Sequence, residues 1–172
     1  MKNCFNRLLV LVIAIASLAL TGCATTQQTD GISITQTKRG VEISSANSIL
    51  FDTGKYELEP SGQKFLDRVA NILLTKTKKN AIIEGHTDNV GGATFNQDLS
   101  ELRALTVMKG LVDRGVPKAR LKAVGYGVTR PVADNGSDNG RRLNRRTDII
   151  IVGESANNIG NPFMDFLNNL FK

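Results

Sequence analysis

Two amphipathic segments with helical periodicity constrain the fold of this chain more than any other feature. The first begins at Pro60, and proline is favoured at the first position of a helix. The second ends before Gly115 and Pro117, which are typical of a helix terminus. The apolar positions are Phe65, Leu66, Val69, Ala70 and Leu73 in the first segment, and Leu99, Leu102, Leu105, Met108, Leu111 and Val112 in the second. We therefore expect two helices, each with one buried face.

Short apolar runs between and after these segments predict the strands of a sheet. Residues 81–84, 121–124 and 149–152 are β-branched or apolar, as buried strands usually are, and residues 131–140 form a long polar loop. Residues 32–34 and 41–43 alternate apolar with polar side chains around a turn at Gly40, which predicts an N-terminal β-hairpin. Strands that alternate with helices predict an α/β (α+β) fold.

The N-terminus has the pattern of a lipoprotein signal peptide. Lys2 and Arg7 precede an apolar stretch that ends at Leu20-Thr21-Gly22-Cys23, so we expect residues 1–22 to be cleaved and Cys23 to carry a lipid. A retained transmembrane anchor is the alternative, although the stretch is shorter than a spanning helix requires. Cleavage would also remove Cys4, which leaves no pair of thiols for a disulfide or a metal cluster.

The rest of the chain divides into a tether, one domain and a tail. Residues 23–30 are polar and predict a short tether, residues 31–152 fit one domain, and residues 153–172 form a tail. In the tail, apolar residues at helical spacing between Phe163 and Phe171 predict an amphipathic helix. We favour docking of this helix on its own domain over contact with a membrane or a partner, because Lys172 is its only cation.

The net charge of the chain does not by itself identify a ligand. Loss of Lys2 and Arg7 with the leader would lower the formal net charge by two, from +6 to +4. Arg141, Arg142 and Arg145, with the adjacent Arg146, could form a polyanion site or a short helix that leads into the last strand, and such a cluster usually forms a solvated surface. The chain has no tryptophan, and no aromatic residue interrupts the arginines, so we do not expect nucleic acid as a partner.

Asp88 and Arg103 are the candidate binding residues. Asp88 lies on a glycine-rich turn after a strand, and Arg103 lies near the start of the second helix, so a short crossover brings both to one rim. A guanidinium binds a carboxylate through two hydrogen bonds and an aspartate binds an ammonium, which together suit a zwitterion. Mutual pairing of the two on the surface is the alternative. His86 is the only histidine, and we expect it to be exposed and without a catalytic or metal role.

Three segments in a fixed order resemble the OmpA-like peptidoglycan-binding domain of OmpA, Pal and MotB. They are residues 50–58 (LFDTGKYEL), 85–104 (GHTDNVGGATFNQDLSELRA) and 140–149 (GRRLNRRTDI). The resemblance implies a β/α sandwich in which two main helices pack on a mixed sheet. Thr87-Asp88 and Ser100 to Ala104 differ from the corresponding residues of Pal, so the chain looks more like a stand-alone OmpA-family lipoprotein than like Pal itself.

The resemblance also implies roles for individual residues. Asp88 and Arg103 match the pair that binds diaminopimelate, a zwitterionic component of peptidoglycan, in the family. Neighbouring family positions that support the ligand fall on Thr87, Asn96, Leu99, Asn144 and Arg145. No cofactor is implied.

We therefore expect a binding protein, not an enzyme, that joins the outer membrane to peptidoglycan. Its partners would be peptidoglycan and, through acylated Cys23, outer-membrane lipid, with the domain facing the periplasm. A peptidoglycan hydrolase is a second hypothesis, although the sequence shows no paired-carboxylate, metal or nucleophile site. A third is a regulatory or scaffolding lipoprotein whose main ligand is another envelope protein.

Overall fold

The fold is a single mixed sheet with the two main helices packed on one face. A computed structural model describes residues 27–29 and 31–159. The strands are β1 (Gln27–Thr29), β2 (Ile32–Thr37), β3 (Gly40–Ala46), β4 (Ala81–Gly85), β5 (Leu121–Gly125) and β6 (Arg146–Val152). The helices are α1 (Asn47–Leu50), α2 (Pro60–Thr75), α3 (Ala93–Asp113), α4 (Asp138–Asn144) and α5 (Ala156–Ile159). The predicted α+β class and the two main helices are confirmed.

The strand order is β1-β2-β3-β6-β4-β5. β2 and β3 form the predicted antiparallel hairpin, in which Thr37 pairs with Gly40. β4 and β5 are parallel, and α3 forms the crossover between them. The last strand, β6, lies between β3 and β4 and is antiparallel to both. This insertion places the residue that precedes β6, Arg145, beside the turn that follows β4.

The hydrophobic core lies between the helices and one face of the sheet. Alternate residues of the central strands point into it, and α2 contributes the face that its periodicity predicts, since Phe65, Leu66 and Leu73 are fully buried. The contributing sheet residues are Ile32, Ile34, Val41, Ile43, Ile83, Ile149 and Ile151. Burial of each such side chain contributes about 1.5–3 kcal/mol, so this layer fixes the sheet and α2 as one unit.

The buried face of α3 differs from the prediction. Leu102 and Leu105, predicted as core residues, are 42% and 40% exposed, whereas Ser100, Arg103 and Gly110 are buried. The reason is a close approach of the α3 backbone to the sheet. A Cβ added to Gly85 would lie 2.1 Å from the carbonyl oxygen of Ser100. Because small residues make this contact, hydrophobic periodicity does not identify the buried face.

Other structural findings concern the predicted tether and tail. β1 lies within the segment that we interpreted as a tether and pairs with β2 as an edge strand. The short helix α5 opens the tail, and its Ile159 is buried. The signal peptide, Cys23 and the predicted helix between Phe163 and Phe171 lie outside the described residues. Within the described ranges, no helix combines the length and the hydropathy that a membrane-spanning segment needs.

Candidate functional site

A cleft of about 430 Å³ opens at the end of the sheet where β4 ends and β6 begins. It is lined by α1 and the loop after it, by the turn between β4 and α3, by the first turns of α3, and by Arg145. Both candidate residues, Asp88 and Arg103, line this cleft. The prediction that a short strand-to-helix crossover brings them to one rim is therefore confirmed.

Arg103 is a buried cation that has no carboxylate partner among the described residues. Only 3% of its surface is exposed, and no ion pair within 4.0 Å involves it in this part of the chain. Its Nε donates to the carbonyl oxygen of Lys55 at 2.9 Å, and its guanidinium lies 5.3 Å from the ring centroid of Phe51. Burial and, to a smaller extent, the charge of Arg145 lower the pKa of Arg103 to about 10, although the charge of Asp88 partly offsets them.

Asp88 forms an ion pair with Arg145 and not with Arg103. Its Oδ2 accepts from Nη1 of Arg145 at 2.5 Å, and its Oδ1 accepts from the backbone N–H of Val90 at 3.0 Å. Asp88 is buried, but the side chain of Arg145 is 43% exposed. The alternative prediction is that Asp88 and Arg103 pair with each other. Both residues are described, and no ion pair joins them. Among the described lining residues, both carboxylates are therefore paired, Asp88 with Arg145 and Asp52 with Lys55, whereas the guanidinium of Arg103 has no ion-pair partner.

The other predicted binding residues divide into two groups. Thr87, Asn96 and Leu99 line the cleft, and the Asn96 side chain fixes the turn by donating to the carbonyl oxygen of Val90 at 2.9 Å. Asn144 is fully buried outside the lining. Its Oδ1 accepts from the backbone N–H groups of Val132 and Ala133, so this amide holds the loop before α4 in place.

Several residues that line the cleft are not among the predicted binding residues. Phe51, Val90 and Phe95 supply apolar walls, and Val90 and Phe95 are 63% and 58% exposed at the rim. Asn47, the first residue of α1, also lines the cleft and is 5% exposed. Phe51 lies in one of the three segments that resemble the family. No local sequence pattern identifies Asn47 as a lining residue, because its position depends on a hydrogen bond from its backbone N–H to the distant Arg145.

These charges suit a small zwitterion. The unpaired guanidinium of Arg103 can take a carboxylate through two hydrogen bonds. A carboxylate accepts up to about four hydrogen bonds, so Asp88 can accept an ammonium in addition to its present partners, or in exchange for Arg145. The apolar walls exclude water and strengthen both interactions.

A second cluster of charged residues, here called the charged layer, lies on the opposite face of the sheet from α2 and α3. It contains Arg39, Glu42, Glu84, His86, Arg130, Arg146 and Asp148. Contrary to prediction, His86 is buried: it is 1% exposed, stacks on Tyr126, and its Nε2 lies 3.3 Å from Asp148. Tyr126 covers it from the segment after β5, a long-range contact that local sequence does not indicate.

The charged layer also groups possible metal ligands. Glu84, His86 and Asp148 place one ligand atom each within 4.8 Å of the others. However, Arg39 pairs with Glu84 at 2.5 Å and Arg146 pairs with Asp148 at 3.0 Å. Because arginines already neutralise both carboxylates, we interpret this cluster as a support for the strand ends that carry Asp88 and Arg145.

Asp148 gives the charged layer a defined pH dependence. Burial alone would raise the pKa of its carboxyl, but the adjacent His86 imidazole, the charge of Arg146 and the Ser44 hydroxyl together outweigh burial and hold the pKa below its ordinary value of 3.8. Such a group stabilises the fold fully above its ordinary pKa, and this contribution is lost as pH falls through the folded pKa. We expect Asp148→Asn to lower the free energy of unfolding by about 3 kcal/mol at pH 7.

Urea denaturation at pH 7 and pH 3 measures this effect. The difference between Asp148→Asn and the unmodified protein should shrink at pH 3, because acid then protonates Asp148 in the unfolded chain. Asp113→Asn, on the exposed end of α3, is the matched control and should change little at either pH. A difference that stays constant with pH would show that packing, not charge, makes Asp148 important.

Comparison with known proteins identifies the family. Residues 50–145, more than half of the chain, match the OmpA family. The chain therefore belongs to the OmpA family, as the three sequence segments predict.

Individual relatives agree with this assignment. The chain is 34% identical over 160 residues to the outer-membrane lipoprotein YfiB of Pseudomonas aeruginosa, a match that covers 87% of this chain and 95% of YfiB. The periplasmic domain of Helicobacter pylori MotB has the same fold, with a TM-score of 0.68, 25% identity, and coverage of 86% of this chain and 99% of that domain. The peptidoglycan-associated lipoprotein of Burkholderia pseudomallei is 30% identical, with a TM-score of 0.55 and coverage of 66% and 89%.

Proposed function

We propose that this protein binds peptidoglycan non-covalently, through the diaminopimelate side chain of the stem peptide. The observation that carries the proposal is the unpaired, buried guanidinium of Arg103 in the same cleft as Asp88. The free end of diaminopimelate has an ammonium and a carboxylate on one carbon. Arg103 would bind the carboxylate and Asp88 the ammonium, with Thr87, Asn96, Leu99 and Arg145 around them.

The proposal extends to the place where binding occurs. YfiB is named an outer-membrane lipoprotein, and the Burkholderia relative is named a peptidoglycan-associated lipoprotein. By analogy with both, residues 1–22 would be a signal peptide, and Cys23 would carry the lipid that anchors the domain to the outer membrane on its periplasmic side. The protein would then link the outer membrane to the cell wall without catalysing a reaction.

Competition for purified sacculi tests the ligand. A stem tripeptide that ends in meso-diaminopimelate should release the protein, whereas the same tripeptide ending in lysine should be a weaker competitor by a factor of about 30 or more. The lysine side chain ends in an ammonium alone, so it leaves Arg103 without its carboxylate. Equal competition by the two tripeptides, or failure of the protein to bind sacculi, would contradict the proposal.

A further inference from the structure

Asn47 is a buried residue whose side-chain amide has no hydrogen-bond partner in the part of the chain that the structure describes. Its backbone is fixed on both sides: its N–H donates to the carbonyl oxygen of Arg145 at 3.0 Å, and its own carbonyl accepts from Phe51 at 2.7 Å. Asn47 is one of the residues that line the cleft and is buried, and neither Nδ2 nor Oδ1, both enclosed in the wall, has a hydrogen-bond partner among the described residues. Buried polar groups are nearly always paired, so an exception inside a cleft points to a ligand.

Thr87 contributes a third polar atom of the same kind. It is 5% exposed, it precedes Asp88, and its Oγ1 also lacks a partner in the described part of the chain. Both side chains line the cleft that contains Asp88 and Arg103. The cleft thus has unused uncharged hydrogen-bonding groups in addition to its charged ones.

The chemistry of these groups indicates what they would bind. A carboxamide has a donor and an acceptor side by side, and each can pair with a peptide group through one hydrogen bond. The N–H and C=O of one trans peptide group point to opposite sides, so Asn47 would use its N–H groups or its carbonyl oxygen, and not both, with a given peptide group. The Thr87 hydroxyl can donate or accept. A zwitterion bound by Asp88 and Arg103 would not use these atoms, whereas the peptide that carries it has amide groups close by.

We propose that Asn47, together with Thr87, forms a subsite that hydrogen-bonds a peptide group of the stem that carries diaminopimelate. This inference rests on the proposed function and adds to it. It makes the cleft selective for diaminopimelate within a peptide over the free amino acid.

Calorimetric titration of the full chain in detergent with two ligands tests the subsite. Free meso-diaminopimelate has no amide, whereas the tripeptide L-Ala-γ-D-Glu-meso-diaminopimelate has two. Asn47→Leu, which keeps the size of the side chain and removes both polar atoms, should weaken tripeptide binding about tenfold and change binding of the free amino acid less than about twofold. Asn71→Leu, on the exposed face of α2, is the matched control and should leave both affinities unchanged.

The outcomes separate this inference from the function on which it rests. Equal weakening of both ligands would show that Asn47 only shapes the site for the zwitterion, and no weakening would show that water satisfies the amide; either result overturns the subsite alone. If the unmodified protein binds neither ligand, the proposed function fails and the subsite fails with it. Should Asn47→Leu not fold, as judged by circular dichroism, Asn47→Ala permits the same comparison.

Discussion

Replacing Arg103 with methionine will weaken binding to sacculi at least about 100-fold, because the ligand carboxylate would then be buried without a partner. Asp88→Asn should have a similar effect, since an amide cannot balance the charge of an ammonium. Arg103→Met should lower the free energy of unfolding by only about 1–2 kcal/mol, because it removes the hydrogen bonds that the guanidinium donates to the carbonyl oxygens of Lys55 and Asp52. The buried guanidinium has no carboxylate within 4.0 Å in the described part of the chain, so its removal breaks no ion pair there.

Sedimentation with sacculi measures the loss of binding, and urea denaturation measures the change in stability. Arg142→Met on α4 and Asp98→Asn on α3 are matched controls, because both residues are exposed and neither lines the cleft. Retention of Arg103→Met or Asp88→Asn on sacculi at the level of these controls would exclude the two residues as the binding pair. A loss of several kcal/mol of stability in Arg103→Met would instead indicate that the arginine holds the loop at Lys55 in place.

The second large effect is expected at Gly85, at the end of β4. An added Cβ would lie 2.1 Å from the carbonyl oxygen of Ser100, and that oxygen belongs to a helix backbone that cannot rotate away. We expect Gly85→Ala to lower the free energy of unfolding by about 3 kcal/mol. It should also weaken sacculus binding under conditions where the protein is folded, because α3 carries Arg103 and must move away from the turn that carries Asp88.

Gly92→Ala is the control for this prediction. Gly92 precedes α3 in the same turn, its φ is not positive, and an added Cβ would meet nothing within 4 Å. Urea denaturation should place this variant within about 0.5 kcal/mol of the unmodified protein. If Gly85→Ala were equally stable, the close approach of α3 to β4 would not be a constraint on the fold.

Local sequence patterns were sufficient to predict most elements of the fold. Helix α2 and the hairpin β2–β3 follow from periodicity and turn residues that lie within each segment. The buried face of α3 could not be predicted this way. Ser100 and Gly110 are buried because they are small enough for a close approach of the helix, and not because they are hydrophobic. Strand β1 consists of Gln27, Gln28 and Thr29 and has no apolar alternation, so only its pairing with β2 reveals it.

In the candidate site too, local patterns identify some residues, whereas others depend on contacts between distant segments. Asp88 and Arg103 could be identified because the turn, the helix and the family resemblance all point to them. The ion pair between Asp88 and Arg145 joins residues 57 positions apart, and it depends on the insertion of β6 between β3 and β4. Asn47 and the burial of His86 likewise depend on which distant segments meet at the strand ends, and no local pattern encodes that.

The direction of β1 fixes which end of this strand is joined to the N-terminal residues. Thr29 pairs with Ile32, which pairs with Ser45 beside the cleft, whereas Gln27 pairs with Ile34 farther from it. β1 therefore runs toward the cleft end of the sheet, and its first residue lies opposite the middle of β2. If Cys23 is anchored in the outer membrane as proposed, only four positions separate the lipid-bearing residue from Gln27, so the edge strand would hold the sheet close to the bilayer. The end of β1 nearer the cleft would then be the end farther along the chain from the lipid.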